Sequence, residues 1–197
     1  MKYDRLINKL IEQHNGIITA TQVTEAGVPR YYLSRMLHSN KLNRVARGVY
    51  CLPEVWEDEL FILQYKYRRG IFSHETALDI HGLTDRMAAR YVMTFPAGYN
   101  TTIFKNTIVE ARTCKKRLYE IGITEKTSAC GNPLKVYDVE RTLCDISRGS
   151  NRQDIQLINQ AMKAYVRGGK TNISKLMKYA EALHVKGRMQ SYMEILL

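Results

Sequence analysis

Tyr31, Ser34, Arg35 and His38 are spaced so that a helix gathers them on one side, with Arg30 and Lys41 at its flanks. Hydroxyl, guanidinium and imidazole groups presented together suit phosphate oxygens and base edges. Leu33, Met36 and Leu37 fall at i, i+3 and i+4 and form a narrow apolar stripe on the opposite side. Just beyond, Leu42-Asn43-Arg44-Val45 and Val49-Tyr50-Cys51-Leu52 are two strand-like runs joined by Ala46-Arg47-Gly48. That is a hairpin with an arginine at its tip and a glycine free to turn. Thr21, in the segment before, completes the set of candidate DNA contacts: Thr21, Arg30, Tyr31, Ser34, Arg35, His38, Lys41, Arg44 and Arg47.

Something must hold that polar helix at a fixed angle. Thr19 stands three residues before Gln22, the spacing of a capping box, and Ile18 and Val23 occupy the positions of a hydrophobic staple. A short helix from Ala20 to Ala26 then stops at Gly27, and Pro29 opens the next helix at its first position. Upstream, Leu6, Ile7, Leu10 and Ile11 share one face of an amphipathic helix. Helix, short helix, glycine turn, polar-faced helix and basic hairpin predict a winged helix-turn-helix over residues 1–53.

Charge agrees. The chain of 197 residues carries a formal net charge of +11. Up to Leu52, eight Lys and Arg stand against three Asp and Glu, whereas the remainder has 22 against 16. Positive charge is densest where the motif is, as an electrostatic footprint on DNA demands. No lipidation signal and no apolar run of spanning length points to a membrane. Met1-Lys2-Tyr3-Asp4 leads straight into a helix, so no secretory signal is expected. Cys51, Cys114, Cys130 and Cys144 form no C-x-x-C and sit among apolar neighbours. Buried free thiols in a reducing cytoplasm are the expectation, with no metal and no cofactor.

Glu54 to Arg69 reads as a connecting helix, acidic at its start (Glu57, Asp58, Glu59) and basic at its end (Lys66, Arg68, Arg69). Residues 54–70 are therefore assigned to a linker and 71–197 to a C-terminal domain. Ser73 is expected to cap a helix ending at His81, with Gly82 closing it. Tyr91–Phe95, Thr107–Cys114, Ile121–Thr127 and Leu134–Tyr137 are strand candidates. Asp138 caps a helix to Ser147, with Val139, Leu143 and Ile146 inward and an Arg141–Asp145 pair outward. Three helices follow, Arg152–Val166, Ile173–Val185 and Arg188–Leu196. The fold class is α+β: an N-terminal winged helix-turn-helix, then a mixed α/β C-terminal domain ending in a helical bundle.

No phosphate-binding loop, dinucleotide fingerprint, H-E-x-x-H or nucleophile elbow is present, and no catalytic residue is assigned. His74 and His81 are explained by capping and packing. Glu110 and Glu125-Lys126 are the thin basis for a nuclease-like centre. Lys163, Arg167, Lys170, Lys175 and Lys178 cluster on the last helices. They form either a solvated face or a second functional surface.

With these residues in view, the chain resembles the AbiEi family of antitoxins, from type IV toxin–antitoxin and phage abortive-infection systems. Three segments carry the resemblance: Leu42 to Tyr50, like the family's basic wing; Phe72 to Leu83, like the opening of its C-terminal domain; and Asp138 to Asp145, like its Glu-Arg-Thr-Leu-x-Asp signature. The resemblance implies a cytoplasmic, non-enzymatic repressor that binds inverted repeats in the promoter of its own operon. It also implies a C-terminal domain that counters a nucleotidyltransferase-like toxin without forming a stable complex. Two alternatives stand beside it: a nuclease-like or nucleotide-handling enzyme guided by a winged helix, and a plain regulator of an unrelated operon.

Overall fold

The computed structural model describes residues 2–149, 155–169 and 171–196. The chain is a mixed α+β protein that divides into two compact units, Met1–Arg68 with Thr127–Leu134, and Arg69–Lys126 with Lys135–Leu197.

In the first unit, α1 (Lys2–Gln13) is followed by β1 (Ile17–Thr19), α2 (Ala20–Glu25), α3 (Tyr31–His38), β2 (Asn43–Ala46), β3 (Val49–Cys51) and α4 (Glu59–Lys66). The capping box forms as spaced: Gln22 N–H donates to Thr19 Oγ1 at 3.2 Å and Gln22 Oε1 accepts from Thr19 N–H at 2.8 Å. Ile18 and Val23 are both fully buried in the same core as Ile7, Ile11, Leu33 and Met36. The three strands form an antiparallel sheet in the order β1-β3-β2, pairing Ile17 with Cys51 and Arg44 with Tyr50.

The strand period of two explains how this small sheet serves two cores. Ile18 and Tyr50 join α1, α2 and α3, while Ile17, Val49 and Cys51 meet Val55, Phe61, Ile62 and Tyr65 of the α4 segment. Two local expectations change. Pro29 precedes the helix rather than opening it: its carbonyl accepts Tyr32 N–H at 3.0 Å and Arg30 takes the N-cap. The helix expected from Glu54 to Arg69 spans only Glu59–Lys66, because Asp58 caps it by accepting Phe61 N–H at 3.1 Å. Asp58 also accepts Asn132 Nδ2 at 2.8 Å, so its buried carboxylate is fully used.

The second unit is built on β4 (Ile71–Phe72), α5 (His74–Ile80), β5 (Tyr91–Pro96), β6 (Val109–Cys114), α6 (Lys116–Tyr119), β7 (Ile123–Thr127), β8 (Pro133–Tyr137), α7 (Val139–Ile146), α8 (Ile155–Arg167), α9 (Ile173–Ala182) and α10 (Lys186–Leu196). Strand order is β6-β5-β4-β8-β7, with β5 and β6 parallel over six residue pairs from Tyr91–Val109 to Pro96–Cys114. β4 runs antiparallel to β5 and parallel to β8. β5 is buried almost throughout, the mark of an interior strand covered on both faces. Side chains from α5, α7, α8, α9 and α10 share one apolar core, including Leu78, Leu143, Ala161, Leu176 and Met189.

Two expectations are overturned here. Ser73 sits at the N-cap of α5, but its hydroxyl makes no capping bond; instead it accepts from Thr94 Oγ1 at 2.8 Å. The Arg141–Asp145 pair lies inward rather than outward: their side chains are 1% and 3% exposed. Every residue of α7 from Glu140 to Ile146 is buried, so amphipathic periodicity could not describe this helix.

Candidate nucleic-acid interface

The helix α3 presents the predicted residues to solvent. Leu33 and Met36 are buried, while Tyr31, Ser34, Arg35 and His38 are exposed, Tyr31 by 67%. Its ring meets Tyr32 edge-on at 5.7 Å between centroids and presents an apolar face with a polar tip. His38 Nδ1 lies 2.7 Å from the Ser34 carbonyl, which only a donor can satisfy. That makes Nδ1 the donor in this contact.

Arg35 is not idle. It pairs with Asp4 of α1, and its guanidinium stacks over the Tyr32 ring at 4.4 Å from the centroid. Both partners are about two-fifths exposed, so solvent screens the pair and it exchanges readily for a phosphate or a base. Arg30 Nε donates to Thr24 Oγ1 at 3.1 Å, which holds it beside the turn between α2 and α3. Lys41 is exposed just after α3.

The β2–β3 hairpin carries Arg44 and Arg47 exposed. Gly48 takes φ +78, which a side chain would resist, and its carbonyl accepts Ala20 N–H at 2.8 Å. The hairpin is therefore tied to the start of α2. Thr21 is half-buried there, its hydroxyl 3.1 Å from Tyr65 Oη and accepting from Arg68 Nη2 at 3.2 Å. Arg68 also stacks over Tyr65 at 4.7 Å. Arg68 joins the basic set although the sequence reading placed it only at a helix end. The fold-back of α4, which brings it to Thr21, has no local signature.

The other candidates separate. Lys163, Arg167 and Lys178 are exposed, whereas Lys175 bridges Asp138 at 3.0 Å and Glu140 at 3.1 Å. Lys170 lies outside the described residues. Glu110, on β6, pairs with Arg112, while Glu125 and Lys126 are exposed on β7 at the opposite edge of the sheet, so they do not converge. His81 Nε2 donates to the Tyr137 carbonyl at 2.7 Å, and His74 is buried beside Ser73. Burial pushes the pKa of both histidines down. Burial also pushes the Cys144 thiol up to about 12, which makes it unreactive. Among the described residues, no three His, Cys, Asp or Glu side chains are grouped to hold a metal ion, and no helix is long and apolar enough to cross a membrane.

Residues 5–53 match the family described as "Transcriptional regulator, AbiEi antitoxin". The resemblance read from the sequence holds over this segment, which contains every candidate DNA contact named from Thr21 to Arg47. No curated protein matches the chain. A solved structure, the Rv2827c protein from Mycobacterium tuberculosis, is similar with a TM-score of 0.54 at 14% identity, covering 92% of this chain and 72% of that one. At that identity the likeness is one of fold.

Proposed function

We propose that the chain is a cytoplasmic, DNA-binding transcriptional repressor and antitoxin of the AbiEi type. In this reading α1 through β3 form a winged helix-turn-helix, with α3 entering the major groove and the β2–β3 hairpin as the wing. The single observation that carries it is the coincidence of the AbiEi match over residues 5–53 with an exposed Tyr31–Ser34–Arg35–His38 face on α3. The operator is an inverted repeat in the promoter of the protein's own operon. The C-terminal unit, with its helices α7 to α10 as a bundle, opposes a nucleotidyltransferase-like toxin without a stable complex. Lys163, Arg167 and Lys178 are the surface offered for that role. Separation of Glu110 from Glu125 and Lys126 favours regulation over nuclease chemistry.

The test is a fluorescence anisotropy titration of promoter DNA across salt concentrations. If about five phosphates are neutralised, log K should fall against log salt with a slope of roughly −4 to −5. A slope near zero, or equal affinity for promoter and random DNA, sinks the reading.

A further inference from the structure

The second unit holds a polar cavity of about 250 Å³, walled by His74, Thr94, Arg112, Arg141 and Arg148 among others. A second cavity, of about 650 Å³, shares Thr113, Cys114 and Arg148 with it and adds Lys115 and Arg117 beside apolar Leu118 and Ala182. The shared wall makes the two one stepped cleft. Its size is that of a small-molecule site.

Its charge is one-sided. Arg141 is consumed by Asp145, the carboxylate on this wall, at 2.9 Å. Arg112 pairs with Glu110 through Nη2, yet its buried Nε–H has no acceptor among the described residues. A buried donor without an acceptor asks for one from outside the fold. No ion pair occupies Arg148 among the described residues, and it stands on the seam between the two cavities. Position agrees as well: Thr113 and Cys114 end β6, and Thr94 lies near the end of its parallel neighbour β5. Ligands of parallel strands gather at those carboxyl ends. His74 completes the wall with φ +52, a left-handed conformation that a buried non-glycine residue holds only under constraint, and such strain collects at binding sites.

We propose that this cleft binds a small organic phosphate, its phosphoryl group held by Arg112 and Arg148 and its organic part lying in the larger cavity against Leu118 and Ala182. Guanidinium groups recognise phosphate through paired, charge-assisted hydrogen bonds, and a larger, partly apolar chamber next to them fits a sugar or base. The inference is independent of the DNA-binding reading, since none of these residues belongs to the first unit.

Isothermal titration calorimetry on the full-length protein tests it, with adenosine monophosphate, ribose 5-phosphate, inorganic phosphate, adenosine and ribose at matched ionic strength. The expected result is saturable one-to-one binding of the two esters, none of adenosine or ribose, and weaker binding of inorganic phosphate. Arg148→Gln and Arg112→Gln should each weaken the esters at least about tenfold, the loss of a charge-assisted bond. Arg35→Ala should leave them unchanged. Melting temperatures of both variants separate loss of ligand from loss of fold, and the dephosphorylated probes test the wild type directly. No saturable heat with either ester, or full ester binding in both variants, overturns the proposal. Inorganic phosphate binding as tightly as the esters overturns the role of the larger cavity. Displacement of the esters by random duplex DNA, lost in Arg148→Gln, assigns the cleft to backbone phosphate and overturns the small ligand.

Discussion

Arg141 Nε donates to Asp145 Oδ2 at 2.9 Å inside α7, with both side chains almost fully withdrawn from solvent. Arg141 goes further, donating through Nη1 to the carbonyls of Ile121, at 2.9 Å, and Leu118, and lying 4.2 Å from the Tyr137 ring centroid. One guanidinium thus ties α7 to α6 and to the turn that follows it. Gly122 stands against it: a Cβ there would come 2.7 Å from Arg141 Cβ, at a φ of +77. The Glu-Arg-Thr-Leu-x-Asp run is therefore an internal brace.

Removing one partner of a buried pair leaves the other uncompensated. Asp145→Ala should lower unfolding stability by about 3–5 kcal/mol. Arg141→Lys should also destabilise, because an ammonium cannot serve three acceptors in a planar fork. Urea denaturation measures both, and a loss below about 1 kcal/mol for Asp145→Ala, the size of a surface pair, rejects the brace.

Arg35 and Asp4 set up an opposite expectation on the exposed face. Arg35→Ala should cost about 1–3 kcal/mol on promoter DNA and flatten the preference over random DNA, if it meets a base edge. Asp4→Asn removes the competing carboxylate and should tighten binding to both DNAs. Arg47→Ala should weaken both alike and reduce the magnitude of the salt slope by about one. Anisotropy titrations at two salt concentrations check all three. An intact specificity ratio in Arg35→Ala puts the wrong helix in the groove.

Much of this was legible in the residues of the first unit. Thr19, Gln22, Ile18 and Val23 act within a few positions of one another, and local chemistry decides a cap or a staple. The polar face of α3 followed from the helical period alone. β1 and β4 were not foreseen, because three and two residues are too short to show alternation. Arg141 and Asp145 were placed outward because charged residues at i and i+4 normally pair in solvent. Their burial depends on carbonyls 23 and 20 residues away. Arg68 joined Thr21 across 47 positions, which no window of sequence contains.

The buried histidines predict a pH dependence. Desolvation lowers the folded pKa of His74 and His81 below the unfolded value, so the unfolded chain binds protons first. Their contribution is intact above an unfolded pKa of about 6.5 and is lost as pH falls through the folded value. Stability should therefore decline from pH 7 toward pH 5. His74→Asn tolerates the positive φ and has no proton to take up, so its decline should be shallower. Parallel slopes for the two proteins in urea unfolding would remove His74 from the account.

The last expectation separates the basic face of the final helices from the fold beneath it. Lys163, Arg167 and Lys178 are exposed, and reversing all three to glutamate should change stability little, since surface substitutions rarely exceed about 0.5 kcal/mol each. Lys175 differs, because it neutralises Asp138 and the buried Glu140, which also accepts Tyr165 Oη at 3.2 Å. Lys175→Ala should therefore lower the melting temperature, while the triple reversal should not. If the exposed three form the surface that opposes a toxin, the reversal abolishes rescue of cells expressing it and leaves promoter affinity intact. Full rescue with full affinity would return these side chains to solubility alone. Loss of promoter affinity with rescue retained would make them a second DNA contact instead.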